Sequence, residues 1–152
     1  YSNIYKIETR IARIFNTYGP RFDLDDGRVI STFINQSFLN QELTIFGDGF
    51  QTRSFCYVSD LVDGLIKLMN SDYKYPLNLG NQEEIKILDL AILIKQKINP
   101  FLKLKFLNLP QDDPTSRKPS LEKAQYYLDW YPNINLVNGL DKTISFYKEQ
   151  LN

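Results

Sequence analysis

The 152-residue chain is 43% apolar and 24% charged, a composition typical of one soluble globular domain and unlike that of a disordered protein. Its 18 Lys and Arg residues balance its 18 Asp and Glu residues, so no net charge attracts it to nucleic acid or to an acidic membrane surface. The sequence contains no histidine and one cysteine, which excludes an internal disulfide, histidine-based triads and most zinc sites, and leaves Arg, Lys, Tyr and carboxylates for any chemistry.

Strand and helix patterns alternate along the chain, which predicts an α/β fold. The first half predicts, in order, a strand at 9–15 that ends at a Gly19-Pro20 turn, a helix at 27–40, a strand at 43–46, a turn at 47–49 and a strand at 51–58. The second half predicts a helix after residue 58, strands at 76–80 and 84–87, a helix at about 88–98, a half-buried strand at 102–107, and two helices from Leu121 and from about Leu136.

Apolar residues at helical spacing identify the buried faces of these helices, and short polar residues identify their caps. The face of the first helix contains Val29, Phe33, Ile34 and Phe38; that of the next contains Leu61, Val62, Leu65, Leu68 and Met69; that of the last contains Leu136, Leu140, Ile144, Tyr147 and Leu151. Ser59 and Asp60 are candidate N-caps of the second helix, and Ser120 is the candidate N-cap of the helix at Leu121.

Two motifs with a possible ligand role fail on inspection. In "GDGFQT" (47–52), Thr52 stands where a dinucleotide fingerprint has its third glycine, and a strand follows instead of a helix, so a turn is predicted. In "DLDDG" (23–27), the glycine comes one residue early for a calcium loop and Ile34 occupies the position of the closing glutamate, so a solvated acidic loop is predicted.

Three stretches rich in arginine and turn residues remain, and they carry a family resemblance. They are "RIFNTYGPR" (13–21), "TRSFCYVSD" (52–60) and "QDDPTSRKP" (111–119). Together with "FNTYGPRFDLDDGRV" and "NLGNQEE", they closely resemble the extended short-chain dehydrogenase/reductase superfamily and, within it, the UDP-glucuronate decarboxylases (UDP-xylose synthases). The similarity extends over essentially all 152 residues.

The resemblance implies that this chain is the carboxyl-terminal half of such an enzyme. About 1–20 would end the Rossmann-like NAD-binding part, and about 21–152 would form most of the smaller sugar-nucleotide-binding part. Family members open with a glycine-rich strand-turn-helix and carry a Tyr-x-x-x-Lys pair, and neither pattern occurs here. The main NAD site would therefore lie outside this chain, which alone is expected to be inactive.

The resemblance also implies roles for particular residues, each with a structural alternative. Arg21 would be the catalytic residue that stabilises an enolate or helps to deliver a proton, or else a surface arginine. The residues implied to bind substrate are Asn16, Val29, Phe46, Gly47, Arg53 and Arg117. Asn16 is otherwise a turn residue, Phe46 a core residue and Arg53 a half-exposed strand residue, while Asp60 is expected to be only a cap.

The "QDDPTSRKP" loop is expected to bind the nucleotide through Arg117. Pro114 and Pro119 would stiffen the loop, so that Arg117 loses less entropy when it grips a phosphate or ribose. Asp112 and Asp113 could orient its guanidinium, or be solvated turn residues. The family has an aspartate after "RKP" where this chain has Ser120, which leaves any ionic role of that position in doubt.

The implied function is NAD-dependent decarboxylation of UDP-glucuronate to UDP-xylose. The alternatives are a sugar-nucleotide 4-epimerase or 4,6-dehydratase, and a non-catalytic sugar-nucleotide-binding protein. The expected partners are a UDP-sugar substrate, a second copy of the protein in a homodimer, and no nucleic acid; no metal is expected. No run of about 18 apolar residues occurs. The expected compartment is the cytoplasm, or the Golgi or secretory-pathway lumen if an anchor precedes this segment.

Overall fold

The computed structural model describes the backbone of residues 2–109 and 116–150 and the side chains of residues 4–109 and 118–150. The helices in these ranges are α1 (Ser2–Tyr5), α2 (Val29–Phe38), α3 (Val58–Met69), α4 (Ile87–Ile98), α5 (Glu122–Leu128) and α6 (Leu136–Gln150). The strands are β1 (Ala12–Ile14), β2 (Thr17–Tyr18), β3 (Leu43–Phe46), β4 (Thr52–Ser54), β5 (Cys56–Tyr57), β6 (Leu77–Leu79), β7 (Glu84–Lys86), β8 (Leu104–Leu107) and β9 (Ser116–Arg117).

Most strand pairs are parallel and are separated in sequence by helices. β1 pairs with β6, β2 with β5 and β3 with β8, all in parallel. β4 lies between β7, to which it is antiparallel, and β9, to which it is parallel. Because parallel neighbours require a crossover connection, this topology is that of an α/β fold, and the predicted fold class is confirmed.

The strand predicted at 51–58 is two strands that separate at Phe55. β4 precedes this residue and pairs with β7 and β9, whereas β5 follows it and pairs with β2. Val58 already belongs to α3. The prediction of one continuous strand was wrong because the β-branched and aromatic pattern of 51–58 does not reveal that its two ends have different neighbours.

The buried apolar side chains form two clusters. The large cluster comprises Tyr18, Ile30, Phe33, Ile34, Leu43, Ile45, Phe55, Tyr57, Ile87, Leu90, Ala91, Ile94, Leu102, Leu140 and Ile144. The small cluster comprises Cys56, Leu61, Leu68, Leu77, Leu79, Leu121, Ala124, Leu128 and Trp130. The two sets alternate along the chain, so they do not divide it at one position, and the domain boundary near residue 20 stays a prediction.

α3 differs from its prediction at its amino terminus and on its outer side. The helix begins at Val58 and has no side-chain cap, so Ser59 and Asp60 lie inside its first turn and neither is the N-cap. Leu61 and Leu68 are buried as predicted, but Val62 and Met69 are 47% and 65% exposed.

Asp60 has a different role, which joins α3 to the chain ahead of α6. Its carboxylate Oδ2 accepts hydrogen bonds from the backbone N–H groups of Asn133 (3.0 Å) and Ile134 (2.9 Å), and its carbonyl accepts one from Trp130 Nε1 (3.0 Å). Gly64 lies beside the same indole, where an added Cβ would stand 2.8 Å from Trp130 Cε2. Asp60 is therefore a buried tertiary clamp, and the expectation that it is only a cap was wrong.

Two further local predictions need correction. The strand expected to be half-buried at 102–107 turns outward along β8: Leu102 is 9% exposed, but Phe106 and Leu107 are 52% and 38% exposed. α5 starts at Glu122 with Leu121 in the cap position and no side-chain cap, so Ser120 is not its N-cap. The buried face predicted for α6 is confirmed for Leu140, Ile144 and Tyr147, and Leu151 lies outside the described residues.

Candidate functional site

A cleft of about 340 Å³ opens where several elements of the large cluster end. Its wall includes Asn16 between β1 and β2, Val29 at the start of α2, Phe46 at the end of β3, Arg53 in the middle of β4 and Ile87 at the start of α4. Asn16, Val29, Phe46 and Arg53 were each predicted to contact the substrate. The fold thus brings together four predicted site residues that are distant in sequence.

Arg53 supplies a buried positive charge to this cleft. The residue is 9% exposed, and its Nη1 donates a 2.8 Å hydrogen bond to the carbonyl of Thr52. It is therefore not the half-exposed strand residue of the alternative interpretation. A guanidinium in the wall of a cleft can bind an anionic ligand through charge-assisted hydrogen bonds.

Asn16 is held at the cleft by β4 and β5. Its carbonyl accepts a 2.8 Å hydrogen bond from the backbone N–H of Cys56, and its Nδ2 donates to the carbonyl of Ser54 at 3.4 Å. These contacts fix the position at which the chain leaves β1, on the same side as Arg53. Asn16 therefore combines a structural role with a place in the cleft wall.

Phe46 gives the cleft an accessible aromatic side chain. It is 45% exposed, so it is not a core residue, and its carbonyl accepts a 2.7 Å hydrogen bond from Gln51 Nε2 across the turn between β3 and β4. The adjacent Gly47 has φ 71° but does not line the cleft; its N–H donates to the Leu107 carbonyl at 2.8 Å. An exposed ring next to a buried cation suits a ligand with a planar base and phosphates.

The sequence reasoning missed Arg28, which also lines the cleft. Its Nε and Nη2 bind Asp26 Oδ2 at 2.6 and 2.5 Å, and its Nη1 donates to the Thr17 carbonyl at 3.4 Å. Partial burial alone would raise the pKa of Asp26, but hydrogen bonds from Ser31 and Arg28 outweigh this effect and lower the pKa. The stretch "DDGR" (25–28) was the signal in the sequence that could have identified Arg28, because a carboxylate two residues before an arginine can orient its guanidinium.

The acidic loop at 23–27 is partly a structural element. Among the side chains described, no group of three or more His, Cys, Asp or Glu residues is placed to hold a metal ion. Asp25 Oδ1 accepts a 2.7 Å hydrogen bond from Asn35 Nδ2, and Asp26 holds Arg28 and the hydroxyl of Ser31. Asp25 and Asp26 are exposed, as expected for a solvated acidic loop, and their carboxylates also make these local hydrogen bonds.

Arg21 does not line the cleft. It is exposed and has φ 68°, a left-handed conformation that few residues other than glycine adopt. The following carbonyl, that of Phe22, accepts a hydrogen bond from the hydroxyl of Tyr147 in α6, which anchors this turn. The catalytic role of Arg21 stays a prediction.

The backbone of Arg117 lies beside the cleft's buried cation. Arg117 in β9 and Arg53 in β4 are register partners, and Ile85 in β7 pairs with Arg53 on the other side. Asp112, Asp113 and Pro114 lie outside the described residues, so their predicted roles stay predictions, as does phosphate binding by Arg117.

No residue of this chain is assigned to NAD binding. Its 152 residues contain neither a glycine-rich dinucleotide turn nor a Tyr-x-x-x-Lys pair. The helices of the part described are also too short or too polar to cross a membrane.

Comparisons with known proteins agree with the resemblance noted in the sequence. A model of the NAD dependent epimerase/dehydratase family matches residues 1–80. UDP-glucuronic acid decarboxylase 1 of Xenopus tropicalis is 50% identical over 145 residues, which are 95% of this chain and 34% of that protein. UDP-glucuronic acid decarboxylase 3 of Arabidopsis thaliana is 47% identical over 152 residues, or 100% of this chain and 44% of that protein.

Solved structures of related enzymes share the fold. A UDP-glucose 4-epimerase of Thermotoga maritima with UDP-glucose has a TM-score of 0.93 at 25% identity, over 99% of this chain and 49% of that one. A UDP-glucuronic acid 4-epimerase of Bacillus cereus, in complex with UDP-glucuronic acid and NAD, has a TM-score of 0.87 at 28% identity, over 98% and 48%. This chain spans less than half the length of each of these relatives, and its Rossmann-like fold class is confirmed. With a family model matching more than half of its length, the chain belongs to the NAD dependent epimerase/dehydratase family.

Proposed function

We propose that this chain is the sugar-nucleotide-binding part of an enzyme that decarboxylates UDP-glucuronate to UDP-xylose. The observation that carries the proposal is the cleft in which buried Arg53 and exposed Phe46 offer a cation and an aromatic face to one ligand. The identity of 47–50% to decarboxylases of Xenopus and Arabidopsis supports this reaction.

The reaction needs a ketone next to the carbon that bears the carboxylate. Oxidation at C4 of the sugar makes the substrate a β-keto acid; the C5–C6 bond then breaks, carbon dioxide leaves, and its bonding electrons remain on the sugar as an enolate. A proton adds to C5, and reduction at C4 restores the hydroxyl. Bound NAD supplies the hydride acceptor and then the donor, so no net oxidation occurs.

Residues of this chain would bind the substrate and stabilise its charges. Arg53 is assigned to the diphosphate and Phe46 to the base, since a guanidinium suits phosphate and a ring suits a planar base. Two guanidiniums are candidates for the enolate: Arg21, from the resemblance, and Arg28, which lines the cleft. A cation near the enolate oxygen would lower the barrier to loss of carbon dioxide.

A sugar-nucleotide 4-epimerase is the second candidate. The fold match to the Bacillus UDP-glucuronic acid 4-epimerase favours it, because the same fold holds the same sugar nucleotide in that protein. Its identity of 28% is well below that of the decarboxylases. The homodimer and the compartment predicted from the resemblance remain proposals of the same kind.

The complete protein, incubated with NAD and UDP-glucuronate labelled with ¹³C at C6, tests the proposal. We expect UDP-xylose together with labelled carbon dioxide in equal amounts. UDP-glucose, which lacks the carboxylate, is the matched control and should give neither product. UDP-galacturonate without carbon dioxide would identify an epimerase instead, and a protein that binds no UDP would contradict both candidates.

A further inference from the structure

We propose that Glu84 is a positioning residue for the phosphate-binding cation of the cleft, acting through Thr52 and Lys118. This inference rests on the proposed function, because it assumes that Arg53 binds the diphosphate of a UDP-sugar. Glu84 and Thr52 do not belong to the described wall of the cleft. Among the described residues, Glu84 is connected to Arg53 through Thr52.

Thr52 connects Glu84 to Arg53. Its hydroxyl donates a 2.7 Å hydrogen bond to Glu84 Oε1, while its carbonyl accepts the 2.8 Å hydrogen bond from Arg53 Nη1. Thr52 is thus hydrogen-bonded to Glu84 of β7 through its hydroxyl and to the guanidinium of Arg53 through its carbonyl. A shift of Thr52 would move the acceptor that orients Arg53.

Glu84 also reaches the far side of the three-stranded sheet. Its Oε2 lies 3.7 Å from Lys118 Nζ, directly after β9, whose residues pair with Thr52 and Arg53 of β4. One carboxylate on β7 therefore contacts the central strand and the exit of the opposite edge strand. The contact with Lys118 adds to the pairing of β9 with β4, which places the Arg117 backbone beside Arg53.

The contacts of Glu84 lie on the face of β4 that is opposite to the cleft. Successive residues of a strand face opposite sides of the sheet, so Thr52 faces away from the side on which Arg53 lines the cleft. Glu84 and Lys118 are 29% and 47% exposed, so water weakens their attraction and the hydrogen bond to Thr52 is the stronger contact. A positioning role with a modest effect on affinity follows.

Variants of the complete protein, titrated with UDP in a calorimeter, distinguish the contact of Glu84 with Thr52 from its contact with Lys118. Glu84→Ala removes both contacts, Thr52→Val removes the hydroxyl alone, and Glu84→Gln keeps an acceptor for Thr52 while losing the charge. We expect Glu84→Ala and Thr52→Val each to weaken UDP binding about fivefold, the scale of the net contribution of one hydrogen bond. Glu84→Gln should restore most of the affinity.

A double variant and a kinetic measurement distinguish positioning from general damage. If Glu84 acts through Thr52, adding Thr52→Val to Glu84→Ala should weaken UDP binding no further, and KM for the UDP-sugar should rise while kcat stays within about twofold. Asp141→Asn, which breaks the 2.5 Å exposed pair between Asp141 and Lys97, is the matched control and should leave UDP affinity unchanged.

The outcomes separate this inference from the proposed function. Wild-type protein that fails to bind UDP would overturn the proposed function and the inference with it. Wild-type protein that binds UDP and loses affinity in Arg53→Ala, but keeps it in Glu84→Ala, would overturn the positioning role alone. Losses in Glu84→Ala and Thr52→Val that simply multiply in the double variant would also contradict it.

Discussion

Arg21 and Arg28 flank the same acidic loop, yet only Arg28 lines the cleft. Both arginines are exposed, but the guanidinium of Arg28 is held by Asp26, while Arg21 lies in a left-handed turn. A preorganised cation stabilises developing charge better than a mobile one, because it needs no reorganisation during the reaction. Arg21 and Arg28 are therefore alternative candidates for stabilising the enolate of the proposed reaction.

Lysine substitution tests the role predicted for Arg21 in the complete enzyme. Arg21→Lys keeps the charge but loses the planar fork, so we expect kcat to fall about a hundredfold, the scale for one donor to a developing oxyanion. UDP affinity should stay within a few-fold, because UDP lacks the sugar carboxylate. Arg28→Lys, assayed in parallel, is the comparison: a larger loss of kcat there, with Arg21→Lys near wild type, would transfer the role to Arg28.

The buried thiol of Cys56 predicts a loss of stability at alkaline pH. Burial raises the pKa of Cys56 from 9.0 to about 12, the carboxylate of Asp60 adds to this rise, and burial raises the pKa of Tyr18 as well. The unfolded chain then loses these protons first, so the stabilisation is complete below the unfolded pKa and is lost as pH rises toward the folded value.

Urea unfolding between about pH 8 and about pH 11 measures this effect. We expect the free energy of unfolding to fall above about pH 9, with Cys56 contributing a slope of up to about 1.4 kcal/mol per pH unit. Cys56→Ala should show a smaller slope at the same pH values, although it is less stable at neutral pH. A pH-independent free energy of unfolding across this range would contradict the buried, protonated thiol.

At the scale of elements, Asp60 joins α3 to the segment that leads into α6. Asp60→Ala leaves the partly buried N–H groups of Asn133 and Ile134 without their acceptor, so we expect a loss of about 1 to 3 kcal/mol in the free energy of unfolding. Asp63→Ala on the same helix removes only an exposed 3.8 Å pair with Lys67 and should cost less than about 0.5 kcal/mol. Equal urea midpoints for the two variants would show that the clamp contributes no stability.

The same contact shows which parts of the fold a sequence can predict. α2, α4 and α6 depend on apolar spacing within each helix, and their bounds follow the predicted ones closely. The role of Asp60 depends on the backbone N–H groups of Asn133 and Ile134, which lie 73 and 74 residues further along the chain, and no local pattern contains such contacts. A short polar residue near a helix start therefore suggests a cap by default.

The candidate site likewise contains some residues that the sequence predicted and others that it did not. Arg53, Phe46 and Asn16 were predicted from family motifs, because such motifs preserve the side chains that meet at a ligand. Arg28 was missed because its orientation comes from Asp26 and the Thr17 carbonyl, and the acidic loop alone suggested solvated carboxylates. The separation of β4 from β5 at Phe55 was missed because it is set by neighbouring strands.

At the scale of the whole molecule, one side of the chain has an exposed apolar surface. α3 packs on β1, and the side chains exposed there by 47–65% are Ile11, Ile14, Val62, Ile66 and Met69. Exposed apolar side chains on neighbouring elements are typical of a contact with another part of a protein, and the relatives are at least twice as long as this chain.

We expect the isolated 152-residue chain to self-associate through this surface and to bind no measurable NAD. Ile66→Lys combined with Met69→Lys should shift it toward the monomer in size-exclusion chromatography with light scattering, because charge opposes apolar association. Leu39→Lys, at a 58% exposed apolar position after α2, is the control and should not change the oligomeric state. A soluble monomer that binds NAD at micromolar concentration would overturn the expectation.

The boundary between the two clusters lies within residues 55–57, the last two of which form β5. Phe55 and Tyr57 belong to the large cluster, while Cys56 between them belongs to the small one, since alternate residues of a strand face opposite sides. If either cluster loses its packing, β5 is no longer held in place. The other cluster then loses the side chains that β5 contributes to it. We therefore expect the chain to unfold in one cooperative transition, with equal calorimetric and van't Hoff enthalpies. Trp130→Ala, which leaves a cavity in the small cluster, should lower the melting temperature of both clusters by the same amount.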